Sequence, residues 1–196
     1  LTSVVVDPAN PYDHTFRASG AVTVLDISAL PALDAGLALY VDGGGELLAP
    51  SMTSMLGNTS IVTGSSVTLP AVTSISSLTL NISGSLALPA LTSIVDTAVT
   101  MSESGLFSAP ELLTVTGSNI TINGAAEFDA PKLASMAGAV NGTRYISATA
   151  NGFFNAPVLT NLTNVRLFAA TGASLVLPQV NSFTFDVSCG EQIIGS

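Results

Sequence analysis

The feature that most limits what this chain can fold into is a phrase it repeats. Between Ser66 and Gly105 the sequence reads Val67-Thr-Leu-Pro-Ala-Val-Thr-Ser-Ile75 and then Leu86-Ala-Leu-Pro-Ala-Leu-Thr-Ser-Ile94. The same unit can be followed outward along the prolines Pro31, Pro50, Pro70, Pro89, Pro110, Pro131, Pro157 and Pro178, spaced 19, 20, 19, 21, 21, 26 and 21 residues apart. A fixed period near 20 is the signature of a solenoid, and it governs every local reading. Three residues before the prolines stand Leu47, Val67, Leu86, Phe107, Phe128, Phe154 and Leu175. Two residues after come Leu33, Met52, Val72, Leu91, Leu112, Leu133, Leu159 and Val180; five after come Met55, Ile75, Ile94, Val115, Met136, Leu162 and Phe183. Stretches such as Leu78, Leu80, Ile82 or Val165, Leu167 then alternate with polar neighbours.

Alternation with period two, in short runs rich in Val, Ile and Thr, is strand chemistry. Proline has no N–H for a ladder, so it marks a corner between strands. A glycine near the end of most units (Gly45, Gly64, Gly84, Gly105, Gly124, Gly152, Gly172) supplies the freedom for a second corner. The expected fold is therefore all-β: a single-domain, three-sided parallel β-solenoid of about eight coils of roughly 20 residues. One such coil cannot bury enough apolar surface to stand alone, so stability comes from stacking. The repeats occupy 21–188. Residues 1–20 form an N-terminal arm or cap, and 189–196 a C-terminal cap or edge strand.

Charge narrows the partners. Only four Lys and Arg accompany 13 Asp and Glu, for a net charge of −9. Nucleic-acid binding requires clustered cations to neutralise phosphates, and this chain has none. No run of 18 apolar residues occurs, so membrane insertion is not expected. Five Asn-x-Ser/Thr sequons, at Asn58, Asn81, Asn119, Asn141 and Asn161, suit a secreted protein carrying N-glycans. Asn81 and Asn119 alternate with apolar residues and are expected on one outward face. The start at Leu1 without methionine fits a processed secreted chain and equally an excised fragment of a longer one. The single cysteine, Cys189, continues the alternation Phe183, Phe185, Val187 and is expected to be an inward thiol.

Catalytic and metal chemistry find no constellation. The acids Asp26, Asp34, Asp96, Glu103, Glu111, Glu127, Asp129 and Asp186 show no paired recurrence, and His14, the one histidine, sits in a turn-rich segment. No ligand spacing suits a metal, and no cofactor motif is present; Asp42-Gly-Gly-Gly-Glu46 lacks the lysine and following helix of a phosphate loop. A threonine column, Thr53, Thr73, Thr92, is interrupted by Leu113 and Ala134, which disfavours ice binding. The long excursion Ala137–Asn151 is read as a surface loop, with Arg144 and Tyr145 a possible partner contact.

The units LALPALTSI and VTLPAVTSISSLTLNISG resemble the leucine-rich β-helix repeats of receptor L-domain-like proteins of cell surfaces. The likeness spans roughly 21–187. It implies an extracellular, often glycosylated protein that serves adhesion, wall structure or ligand binding. The receptor type closes its ends with disulfides, which a chain with one cysteine cannot form internally. Its apolar ends (Leu1, Val4, Val5, Val6 and Ile193, Ile194) are therefore expected either to cap the solenoid or to pair head to tail with another copy. The expected function is a non-enzymatic structural protein that self-associates into an extracellular fibre, wall layer or surface coat. The alternative is an adhesion module that binds a glycan or protein through a solenoid face or the 137–151 loop.

Overall fold

The computed structural model describes residues 14–33, 36–57, 60–139, 142, 144–170 and 172–184. Its strands stack in parallel throughout, as the repeat requires. The first sheet has eight strands running from His14–Ser19 to Val165–Ala169, which marks seven full turns of the coil. The third sheet also has eight, from Ala32–Leu33 to Ser182–Thr184. Between them lies the second sheet, with six strands from Ser66–Thr68 to Ser174–Val176; the pair Val24–Asp26 and Glu46–Leu48 forms a separate two-stranded piece. His14–Ser19, which the sequence reading leaves in the N-terminal arm, is the first strand of the first sheet, in register with Leu37–Asp42. The arm residues 1–13, the segment 185–196 and Cys189 lie outside the described residues.

The apolar columns are where the period places them. Leu86, Phe107, Phe128 and Phe154 are in register in the second sheet and fully buried. The three rings stack nearly parallel, with centroids 4.6 Å apart for Phe107 and Phe128 and 5.1 Å for Phe128 and Phe154. Ile75, Ile94, Val115, Met136 and Leu162 form the matching column of the third sheet. In the first sheet the strands from Ser60–Thr63 to Arg144–Ala148 each bury two residues, as in Leu80 with Ile82 or Ile120 with Ile122. Each rung adds about 4.8 Å, so identical positions meet their own kind above and below.

The first proline is not a corner. Leu30 donates its N–H to Ile27, as Met52 does to Ala49 and Leu91 to Leu88. Thr53 donates to the Pro31 carbonyl, as Thr73 does to Thr53. Pro31 is therefore equivalent to Thr53, and Ser28 holds the place that Pro50 and Pro70 hold later. Consequently Leu33 belongs with Met55 in the third sheet, not in the column after the corner. Residues of several types adopt the corner conformation, so proline type alone does not fix position.

The glycines also divide. Gly84, Gly105 and Gly152 share one stacked place with Ala126 and Ala173, each preceding a second-sheet strand, and Gly45 likewise precedes Glu46–Leu48. What Gly105 supplies there is room, because a Cβ would run into the Ile82 carbonyl oxygen. Backbone freedom is needed at the opposite corner, where Gly57, Ser77, Asp96, Gly117 and Asn164 all adopt positive φ. Gly117 (φ 63) meets both demands, since the Asp96 carboxylate fills the space a side chain would take.

One interior corner is polar. Thr97 and Ser118 are buried and continue the column of Leu78. Ser118 Oγ accepts from the Thr97 N–H at 3.0 Å and donates to the Thr116 carbonyl at 2.9 Å, so the hydroxyl is satisfied.

Candidate functional site

The long excursion is narrower than the sequence suggests. Ser135–Ala137 ends the third-sheet strand and Arg144–Ala148 already belongs to the first sheet, paired with Val165–Ala169. Between these two strands an isolated antiparallel bridge joins Ala139 to Gly142. The alternation in RYISA is a strand signal that sequence reading passed over because the coil was lengthened just before it.

This placement separates the expected contact pair. Arg144 turns to the corner, and its Nε donates to the Gly117 carbonyl at 2.6 Å. That bond makes it a tie between coils. Tyr145 instead projects from the first sheet and is 41% exposed. Its register neighbour is Arg166, and two residues along the same strand Phe168 is 43% exposed. Val165 is buried and Leu167 half buried, so the period-two pattern that sends them inward sends Arg166 and Phe168 out. Tyr145, Arg166 and Phe168 thus share one outward patch at the C-terminal end of the first sheet.

Three of the five sequons lie within the described residues. Asn81 and Asn119 both sit on the outward face of the first sheet, half buried, in adjacent columns. Asn119 Oδ1 accepts the Tyr145 N–H at 3.2 Å, which joins this asparagine to the aromatic patch. Asn161 is exposed on the third sheet and donates through Nδ2 to Thr160 Oγ1 at 2.9 Å. Asn58 and Asn141 lie outside the described residues.

The last described coil is less buried than the one before it. Phe154, Ala156 and Leu159 are fully buried, whereas Leu175, Leu177 and Val180, their counterparts one rung on, are only partly buried. At the other end Ala18, Ile27, Leu30 and Leu33 are already buried in the first coil. Phe16 and Leu25 of that coil are, like Leu175, only partly buried. Leu1, Val4, Val5, Val6, Ile193 and Ile194, the expected assembly residues, lie outside the described residues.

Charged groups are thinly spread. Arg17 bonds Asp42 at 2.9 Å near the first coil, and Lys132 bonds Glu111 at 2.7 Å on a corner. The neighbouring Ser19 hydroxyl, and then Arg17, hold the Asp42 carboxyl below its ordinary range. The Thr53, Thr73 and Thr92 hydroxyls each donate to a carbonyl of the preceding coil, at 3.1, 3.3 and 3.0 Å. Their role is to knit coils together. Among the described residues no three His, Cys, Asp or Glu side chains come close enough to hold a metal, and no helix is long and apolar enough to cross a membrane.

Among the described residues these features define a parallel β-solenoid with partly buried apolar side chains on its last coil and one aromatic patch. Comparison with protein-family models, with curated proteins and with solved structures gives no match to this chain.

Proposed function

We propose that this chain is a secreted, N-glycosylated, non-enzymatic structural protein whose copies associate end to end into an extracellular fibre, wall layer or surface coat. The observation that carries the reading is the partly buried apolar set on the last described coil. Leu175, Leu177 and Val180 sit partly exposed on a stack of three parallel ladders, and a further parallel coil would bury them. Contact between unlike ends is heterologous and yields an open filament when its rotation closes no ring. The low charge, the five sequons and the resemblance to L-domain-like surface repeats support an extracellular setting.

Sedimentation of the intact chain against Leu175→Asp and against a chain lacking Leu1–Val6 tests this. Intact protein is expected to form large species at micromolar concentration, with both variants shifted toward monomer. An intact chain that stays monomeric at high micromolar concentration overturns the structural reading. Intact mass before and after glycosidase treatment tests the glycans separately.

A second reading is favoured by a different observation. Exposed Tyr145 and Phe168 beside Arg166 suit an adhesion module for a glycan or protein partner, because aromatic and Arg residues are enriched where partners bind. Discrete particles that lose partner binding on Tyr145→Ala would support it.

A further inference from the structure

The second sheet is broken at one rung. At every other rung the residue after its strand donates its N–H to the next coil: Ile27 to Leu48, Leu69 to Ala87, Leu88 to Ser108, Ala109 to Asp129, Ala130 to Asn155, Ala156 to Val176. The equivalent bond from Ala49 to the Thr68 carbonyl is not made, nor is the one from Ser66 to Gly45, and the two strands belong to separate sheets. The break falls where the corner leading into the sheet shortens, from Val41–Leu47 in one coil to Thr63–Val67 in the next.

A cavity of about 310 Å³ opens there. Leu47, Leu48, Ala49, Pro50 and Pro70 give it an apolar wall, and Asp26, Ser28 and Thr68 its polar groups. Leu47, an inward core residue, reaches it because the ladder is open. Ala49 is 2% exposed, so its unused N–H is a buried donor, and such groups are rarely left without a partner. In the adjacent coil, as the register partner of Leu48 and two rungs or about 10 Å along the stack from Thr68, stands the Asp26 carboxylate. It is anchored by the Ser28 N–H at 2.9 Å, and Ser28 bonds hold it below its usual range, hence ionised at neutral pH.

We propose that this cleft binds a small elongated amine: an apolar, ring-sized body with an ammonium at one end and a hydroxyl at the other. The ammonium pairs with Asp26 and the body lies on Leu48 and Pro50. The hydroxyl takes the split rung, accepting from Ala49 N–H and donating to the Thr68 carbonyl. An anion is disfavoured by Asp26, and a hydrocarbon leaves the buried donor unserved.

Tyramine is a suitable probe, with phenethylamine lacking the hydroxyl and 3-(4-hydroxyphenyl)propionate lacking the cation. Amide NMR titration is expected to show tyramine shifting Ala49 and Thr68 with a Kd of about 1 mM. Both analogues are expected to bind more weakly. Asp26→Asn weakens tyramine about two- to fivefold, as an exposed ion pair should, and raised salt does the same on the unaltered protein. In free protein the Ala49 amide exchanges faster than those of Leu69 and Ala109. The proposal is overturned if Ala49 exchanges as slowly as they do, if its amide does not move at about 10 mM tyramine, or if the anion binds as well as the amine.

Discussion

Phe128 carries the sharpest quantitative expectation. It is fully buried and lies between Phe107 and Phe154, with interplanar angles of 11° and 12°. Replacing it with alanine removes a large apolar side chain from a core whose rungs are held by backbone bonds on both sides. The site therefore cannot close up, and the cost belongs at the upper part of the usual 3–5 kcal/mol for Phe→Ala. Two ring pairs are lost as well, each contributing about 0.5–1.5 kcal/mol beyond burial. The total expected is about 5 kcal/mol, or a fall in Tm on the order of 10–20 °C for a chain of this size. Phe107→Ala and Phe154→Ala each lose one pair and should cost about 1 kcal/mol less. Urea unfolding followed by circular dichroism, with Cm compared across the three variants, reads the ordering. A Phe128→Ala loss below about 1 kcal/mol, or one smaller than both neighbours' losses, would refute the stacked-column reasoning.

Three further outcomes follow from other positions. Gly105→Ala forces a Cβ onto the Ile82 carbonyl and should destabilise by about 1–3 kcal/mol, whereas Ala126→Gly at the same stacked place should cost about 1 kcal/mol; equal losses in thermal melts would contradict the close-approach account. Asp42 has a depressed folded pKa, so its contribution is present above the unfolded value of about 3.9 and lost as pH falls through the folded one. The Tm difference between the natural protein and Asp42→Asn should accordingly shrink below about pH 4, and a difference that widens there would be wrong in sign. Glu111→Gln breaks an ion pair whose two side chains are 49% and 56% exposed, so it should cost less than about 1 kcal/mol and vanish in high salt.

The columns were legible because burial repeats by position and the corner prolines hold position over most of the chain. Phe107, Phe128 and Phe154 could be placed in one stack from their distance to Pro110, Pro131 and Pro157 alone. The same anchor misplaced Leu33, since Pro31 occupies a place that threonine takes in later coils and Ser28 makes the first corner. Arg144 and Tyr145 were visible as a pair, but which of them faces solvent depends on where the first-sheet strand begins. The sequence carries that only as the alternation in RYISA. The broken rung left no mark at all. Leu47 and Val67 stand at the same distance from their prolines as residues in intact rungs, and the difference arises from corner lengths earlier in each coil.

The coils around Ser66–Gly84 have a further consequence. Ser60 pairs with Thr79, Ser66 with Ser85 and Ser74 with Ser93, so all three sheets advance by the same 19 residues at this step. A stretch of that length can be copied or lost in the gene without changing which side chains face inward. Each such event lengthens or shortens the molecule by one rise of about 4.8 Å. The fold is thus a ruler graduated in rungs, able to change its reach over generations while its cross-section stays the same.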